Sequence, residues 1–501
     1  MATTPERLYR FAPRDRAGWF LGLGAAQCLT AGACLLVGAL LVSATGSPLP
    51  AVPALAIGLG FVFARWRGRP LHEWAPILAR WSALRWWSGT RWTARVPLLG
   101  TDGTSRPAVL PPFLGDLEIL EGANGWARRL RLANVGIVHD RRQRAYTGVL
   151  RVRGREFALL ETGEQDRLLA GWGNVLGGFC RERGPIARVA WSEWAAPAAL
   201  EEHLRYVAEH ATAPTDSPPR VAYRDVLEAA GPMTTHHETL VAITLDATRV
   251  RTPRRPGETL DERYLDALLE ELRLTTSRLE DAGLVVDPPL TGAELAEVLR
   301  LRLDPTCEPR LRTRARSGPF HGVAANNLGP LVVDLEFAHA RIDQSWHRVY
   351  WIAEWPRLDM PAEWMSRLLL HGGGTRSVTV VYEPVTPSRS QRQVDRDATK
   401  LASDEEQRAK RGFRIGARHR RAQHAVLERE QELVAGYAEL EYAGFLTVTA
   451  PNLEDLERTC GEHEQAAAQA GLELRALDGQ HDLGVGAGLP IGRYPTARRF
   501  A

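Results

Sequence analysis

Lysine is almost missing: of 63 basic residues only Lys400 and Lys410 are lysines, and the others are arginines. Neither follows a glycine-rich loop, and no G-x-x-x-x-G-K-[ST] segment occurs, which argues against ATP hydrolysis by a P-loop in this chain. Cysteine is also scarce. Cys28 and Cys34 lie in an apolar run and Cys180, Cys307 and Cys460 are scattered, with no CxxC pair and no Cys/His spacing for zinc. A disulfide framework and a structural zinc site are therefore not expected, and no cofactor is implied. Net charge is low, +3 over 501 residues, with 44% hydrophobic and 25% charged residues. That composition describes a folded chain of two to four units. Its arginine, alanine and glycine bias looks like that of a GC-rich genome and carries no function.

Long apolar runs are present at one place only. "AGWFLGLGAAQCLTAGACLLVGALLVSA", Ala17 to Ala44, has no charged residue and exceeds the ~20 residues needed to cross a ~30 Å bilayer core. "AVPALAIGLGFVFA", Ala51 to Ala64, reaches that length when its flanking turn and Trp66 are counted. Two spans, about 17–44 and 48–66, are expected. Arg7, Arg10, Arg14 and Arg16 precede the pair, Arg65, Arg67 and Arg69 follow it, and the intervening turn has none. The positive-inside rule places both ends and the bulk of the chain in the cytoplasm, beneath a bacterial plasma membrane. The competing reading is a signal peptide, because Val42-Ser43-Ala44 resembles a cleavage site. The next stretch carries Trp66, Trp74, Trp81, Trp86 and Trp87 among arginines, with helical spacing from Leu71. An amphipathic helix in the headgroup layer is expected there, against a plain core helix as the alternative, with Pro76 as a complication.

Beyond Gly100, strand-like and helix-like segments alternate, which predicts an α+β class: a transmembrane hairpin followed by a multi-unit mixed α/β body. The membrane part covers 1–100. A first unit, 101–215, contains the hairpin "VGIVHD"/"YTGVLRVRG" and the strand "IARVAWSEW". A second, 216–374, contains "ETLVAITLD", a long amphipathic helix, and Thr291 and Glu294 at capping-box spacing. A third, 375–501, has a β-α-β-α-β order close to a ferredoxin-like split sheet, with a long polar and basic helix.

Four motifs invite chemistry. "HGGG" at His371 to Gly374 matches an esterase oxyanion-hole motif, but the G-x-S-x-G elbow it requires is missing. A glycine stop before a strand is favoured. His236 and His237 are adjacent at the start of a strand, so they face opposite sides and cannot converge on one metal. Arg411, Arg414, Arg418 and Arg421 would form one stripe on a helix, able to hold phosphates, anionic lipid or an acidic partner, with a solvated face as the plainer reading. The terminal "HDLGVGAGLPIGRYPTARRFA" has closely spaced glycines but no lysine and no helix after them, so it reads as the exit from the last sheet and a contact for a separate motor.

The segments "YRFAPRDRAGWFLGL", "RPLHEWAP", "PPFLGDLEIL", "RVYWIAEWPRLDMP", "VTVVYEPVTPSRSQRQVDRDATK" and "GFRIGARHRRAQHAVLEREQELVAGYAELEYAGFLTVTAP" together resemble a family of actinobacterial two-span membrane proteins encoded beside conjugation-type ATPases. The layout is also similar to the amino-terminal, non-ATPase half of type IV secretion ATPases of the TraC, TrbE and CagE kind. The resemblance implies a scaffold subunit of a conjugation-like DNA or protein transfer apparatus, with a separate P-loop motor ATPase as partner. It carries over no catalytic, cofactor or metal residue, implies contact with the bilayer, and leaves self-association as a homo-oligomer and nucleic-acid contact open. The alternatives are a type VII (ESX) secretion membrane subunit of the EccE kind and, from another class, a membrane-tethered hydrolase using His371 or His236.

Overall fold

The computed structural model describes residues 9, 11, 25–67, 69–94, 110–121, 135–154, 157–198, 201–230, 234–251, 253, 257, 259–317, 329–410 and 417–493. Helix α1 (Ala25–Thr45) and helix α2 (Ala51–Phe63) form the apolar hairpin. They pack through small residues: a Cβ on Gly58 would lie 2.5 Å from Cys34 Sγ, and one on Gly38 would lie 3.2 Å from Leu55. The outward side chains are apolar too, with Leu29, Leu35, Leu36, Leu40 and Ile57 all exposed. Among the described residues, α1 alone is long and apolar enough to cross a membrane, with mean hydropathy 2.0 over Gln27–Thr45. At 13 residues α2 rises about 20 Å, short of a ~30 Å core. The stretch expected as a second span forms a shorter apolar helix that does not by itself reach spanning length.

Both flanks of this hairpin touch the body. On one side Tyr9 pairs with Met360 as an antiparallel bridge and its hydroxyl donates to Asp166 at 2.7 Å. Phe11 sits 5.4 Å from the Trp355 ring and 5.1 Å from Trp364. On the other side the two-residue strands β1 (Arg65–Trp66) and β2 (Arg69–Pro70) lead into helix α3 (Leu71–Ala83), which lies against the carboxy-terminal segment.

The body is built on one large antiparallel sheet. Its strands are β3 (Arg91–Thr93), β4 (Leu117–Glu121), β5 (Gly136–Asp140), β6 (Ala145–Arg153), β7 (Ile186–Pro197), β8 (Thr235–Asp246) and β9 (Val285–Val286). They continue with β10 (Val332–Leu335), β11 (Ala340–Ile342), β12 (Ser345–Glu354), β13 (Thr375–Pro384), β14 (Leu440–Ala450) and β15 (Glu473–Ala476). The spatial order is β3-β10-β11-β12-β14-β13-β7-β8-β6-β5-β4, with β15 beside β12 and β9 beside β6.

That order contains the same arrangement twice. In the amino-terminal half, β4, β5, β6, helix α4 (Thr162–Gly177), β7, a pair of helices, β8, helix α5 (Leu260–Asp281), β9 and helix α6 (Gly292–Leu303) follow in sequence. The carboxy-terminal half repeats it as β10, β11, β12, a one-turn helix at Ser366–Leu369, β13, the helix pair α7 (Pro387–Lys410) and α8 (Ala417–Val434), β14, helix α9 (Leu453–Gln469), β15 and helix α10 (His481–Gly488). The halves meet where β7 and β13 pair antiparallel, Trp191 opposite Val380, so a pseudo-twofold axis passes between these strands. The expected boundary after residue 215 falls between β7 and β8, which pair directly, and that after 374 falls just before β13. The sheet therefore runs unbroken through all three expected units.

Alternation assigns the two faces. Leu240, Ala242, Val349, Trp351 and Phe445 contribute to a core shared by both halves and covered by α6 and α10. Val241 and Ile243 face the other way, onto α4 and α5, and Ile352 and Leu446 onto α9. Burial of each such large side chain stabilises by about 1.5–3 kcal/mol. Local signals agree with the packing: Thr259/Glu262 and Thr291/Glu294 close reciprocal capping boxes at α5 and α6, and Asn452 caps α9. The long polar stretch after β13 is two helices folded back on one another, with Gln423 donating to Glu405 at 2.5 Å and Arg429 to Asp397 at 3.2 Å.

Candidate functional site

A concavity lies where the segment that follows the apolar hairpin meets the body. Pro70 sits at the amino end of α3 in extended conformation, and the helix continues past Pro76 to bury Trp74 and Ile77. The Trp74 ring packs 4.6 Å from Trp66 and 6.1 Å from Phe337, and its Nε1 donates to the Trp66 carbonyl at 3.1 Å. Trp81 meets Phe337 edge-on at 5.8 Å. Arg80 donates to the Gly479 carbonyl at 3.0 Å and also pairs with Asp482. Gly479 has φ +69, and a Cβ there would stand 3.1 Å from Phe337 and 3.3 Å from Ile77. Only glycine suits both the left-handed turn and the contact.

Beside this contact is a cavity of about 290 Å³ lined by Arg67, Arg69, Trp74, Arg348, Tyr350, Glu464 and Asp478, among others. Both lining carboxylates are engaged: Asp478 by Arg67 at 2.5 Å, and Glu464 by the Tyr350 hydroxyl at 2.7 Å. Arg348 donates its Nε to the Ala338 carbonyl at 3.1 Å. Arg69 is only 3% exposed, lies 5.8 Å over the Trp74 ring, and leaves Nη2 without a hydrogen-bond partner. Burial and the nearby Arg475 push its pKa down. Burial pushes the Tyr350 phenol up, and lowers the adjacent His481 to about 3, so both stay neutral near pH 7. Glu73 and Asp478 act on Arg69 from a distance, as Asp478 does on Arg348, but no described carboxylate stands at salt-bridge distance from either guanidinium, which leaves the cavity able to take an oxyanion.

No protein family matches this sequence, and no curated protein matches it either. The site rests on its own geometry.

The residues singled out from sequence fall into three groups. Of the interfacial tryptophans, Trp74 is buried within the protein and Trp81 half-buried, while Trp66, Trp86 and Trp87 are exposed. Of the arginine stripe, Arg411 and Arg414 lie outside the described residues, as does the side chain of Arg418, and Arg421 is exposed on α8. The histidine motifs are fixed locally, with the buried Nε2 of His371 left without a hydrogen-bond partner. His371 accepts from Arg376 through its carbonyl at 2.8 Å, and Gly373 and Gly374 at φ 147 and 67 turn the chain into β13. The neighbouring His463 is buried, with its pKa lowered to about 4 by burial. His237 Nδ1 is 2.6 Å from Glu193, whereas His236 lies edge-on to Trp194 on the opposite face of β8. Among the described residues no group of three or more His, Cys, Asp or Glu is placed to hold a metal ion.

The terminal glycine stretch departs from expectation. Gly484, Gly486 and Gly488 are themselves helical, in α10, and are buried. A Cβ at Gly484 would lie 2.8 Å from Val349, so the small residues bring this helix onto the sheet. Thr379 donates to the Gly488 carbonyl at 3.1 Å, Arg188 to that of Gly492 at 2.5 Å, and Arg493 pairs with buried Asp140 at 2.8 Å. Residues 481–491 cross from one half to the other inside the core, buried except for the half-buried Leu483, and residues 494–501 of the expected contact lie outside the described residues.

Sequence reasoning missed the cavity residues. Arg67 and Arg69 registered only as topology signals, and Arg348, Tyr350 and Asp478 not at all. The i, i+2 spacing of Arg348 and Tyr350 on a strand puts both on one face, but the Tyr350 partner Glu464 lies 114 positions away and the Arg67 partner Asp478 lies 411 away.

Proposed function

We propose that this chain is an inner-membrane scaffold subunit of a type IV secretion or conjugation-like transfer apparatus, holding a separate P-loop motor ATPase at the bilayer. The apolar hairpin supplies the anchor and the duplicated sheet body the platform. We read the hairpin as two spans and each half of the body as a ferredoxin-like unit with the bulk on the cytoplasmic side. One observation carries the anchoring: Tyr9 and Phe11 on one flank, and Arg67 and Arg80 on the other, dock onto the same body. A chain that leaves this body through α1 must come back to it, so if α1 crosses the bilayer, the turn, α2 and its flanks cross in return.

The motor partnership rests on the resemblance and is tested by purification. Isolation of the full chain from membranes in mild detergent is expected to bring a P-loop ATPase with it in near-stoichiometric amount. A chain that stays alone when the genes beside it are co-expressed contradicts the scaffold reading.

A further inference from the structure

We propose that the cavity formed by Arg67, Arg69, Arg348 and Tyr350 binds a phosphate oxyanion, supplied by the headgroup of an anionic lipid. The inference depends on the anchoring proposed above only for the source of the phosphate.

Three observations carry it. The cavity, about 290 Å³, is large enough for a phosphate with its glycerol carbons. Arg69 is nine-tenths buried and more, and its Nη2 has no partner, an arrangement that costs free energy unless an acceptor completes it. Glu464 and Asp478 are each already bonded, to Tyr350 and Arg67, and Arg348 is held by Ala338, Tyr350 and Cys460, so Arg69 is the guanidinium that the cavity leaves for the ligand, with Arg348 adding charge beside it. The location selects the source. Arg67 follows the end of α2 at Phe63 by four residues and Arg69 by six, so both lie within about 20 Å of the apolar hairpin by chain length alone. Headgroup phosphates occupy the layer just outside the hydrocarbon core. A planar guanidinium fork can donate to two oxygens of a tetrahedral phosphate at once, and basic pockets beside membrane helices suit such headgroups. Trp74 forms the apolar wall on which the glycerol carbons rest.

The test uses the full chain in nanodiscs of phosphatidylcholine with or without phosphatidylglycerol, released and weighed by native mass spectrometry. In parallel, inorganic phosphate is titrated against the detergent-solubilised chain by calorimetry. Retention of one phosphatidylglycerol, weakened at least about tenfold in Arg69→Gln with Arg348→Gln, is expected; this corresponds to the loss of one charge-assisted bond. Retention that inorganic phosphate does not displace assigns the site to lipid. Displacement by phosphate keeps the oxyanion chemistry and assigns it to a soluble source. If the wild type retains neither ligand, or the folded double variant retains phosphatidylglycerol as well as wild type, the proposal is overturned. Should the glutamine pair unfold, Arg69→Lys with Arg348→Lys keeps the charge and is expected to retain the lipid, and lipid loss there with an intact fold counts against a charge-held oxyanion. Flotation with vesicles separates this failure from that of the anchor: a chain that floats without binding phosphate leaves the anchor intact.

Discussion

Arg67 and Asp478, 411 positions apart, form an ion pair of 2.5 Å in which the aspartate side chain is 3% exposed and the arginine 54%. The pair joins the end of the apolar hairpin to the turn that enters the buried carboxy-terminal helix. Arg80 repeats the connection two turns of α3 later, through Gly479 and Asp482. The orientation of the apolar hairpin is thus coupled to the core of the sheet.

Asp478→Ala is expected to loosen that coupling. It leaves the half-exposed Arg67 without its partner, and such a pair contributes about 1 kcal/mol. Denaturant unfolding of the solubilised chain should shift by that amount, and proteases should cut sooner between residues 64 and 94. Unchanged stability and cleavage would mean that the pair is incidental.

Gly492→Ala strikes the far end of the same segment. The residue has φ +68, and a Cβ there would lie 2.1 Å from Thr244 Oγ1 and 2.5 Å from Thr147 Oγ1. Strain and overpacking together predict a loss of about 2–4 kcal/mol, read from the denaturation midpoint. A loss under about 0.5 kcal/mol would show that the terminal segment does not fasten the two halves.

Stability should fall on mild acidification. Burial lowers the pKa values of His347 and His463 to about 4 and of His481 to about 3, against ~6.5 when unfolded. Between about pH 6.5 and 4 the unfolded chain binds protons that the folded chain does not, so folding weakens as pH drops through that window. At pH 5 each imidazole costs about 2 kcal/mol at most. A flat profile of unfolding free energy from pH 7 to 5 would contradict the buried neutral state. His463→Phe, which removes one titrating group, should make the profile shallower.

The elements legible in the sequence were those with strong local periodicity. The "YTGVLRVRG" and "ETLVAITLD" strands, the long helix before "LVVD" and the Thr291/Glu294 cap all appear as expected. The duplication was not legible, because the repeats share topology while their helices differ in length: α4 has 16 residues and its counterpart at Ser366–Leu369 has four. The terminal glycines misled for a physical reason. Glycine is a poor helix former in isolation, and only close approach to Val349 and Leu477 makes it the residue required in α10. Arg69 misled in the opposite sense, since an arginine after an apolar run reads as a topology signal, and its burial depends on Trp74 and Phe337 packing against a distant turn.

The central claim is that α1 and α2 leave and re-enter one side of a membrane while both flanks dock on the same body. It is tested most directly by labelling single cysteines, Ser47→Cys in the turn and Ser403→Cys on exposed α7, in an otherwise cysteine-free chain with a membrane-impermeant maleimide on intact cells. The account predicts that Ser47→Cys reacts in intact cells and Ser403→Cys only after lysis. Reaction of both, or of neither, before lysis would contradict it.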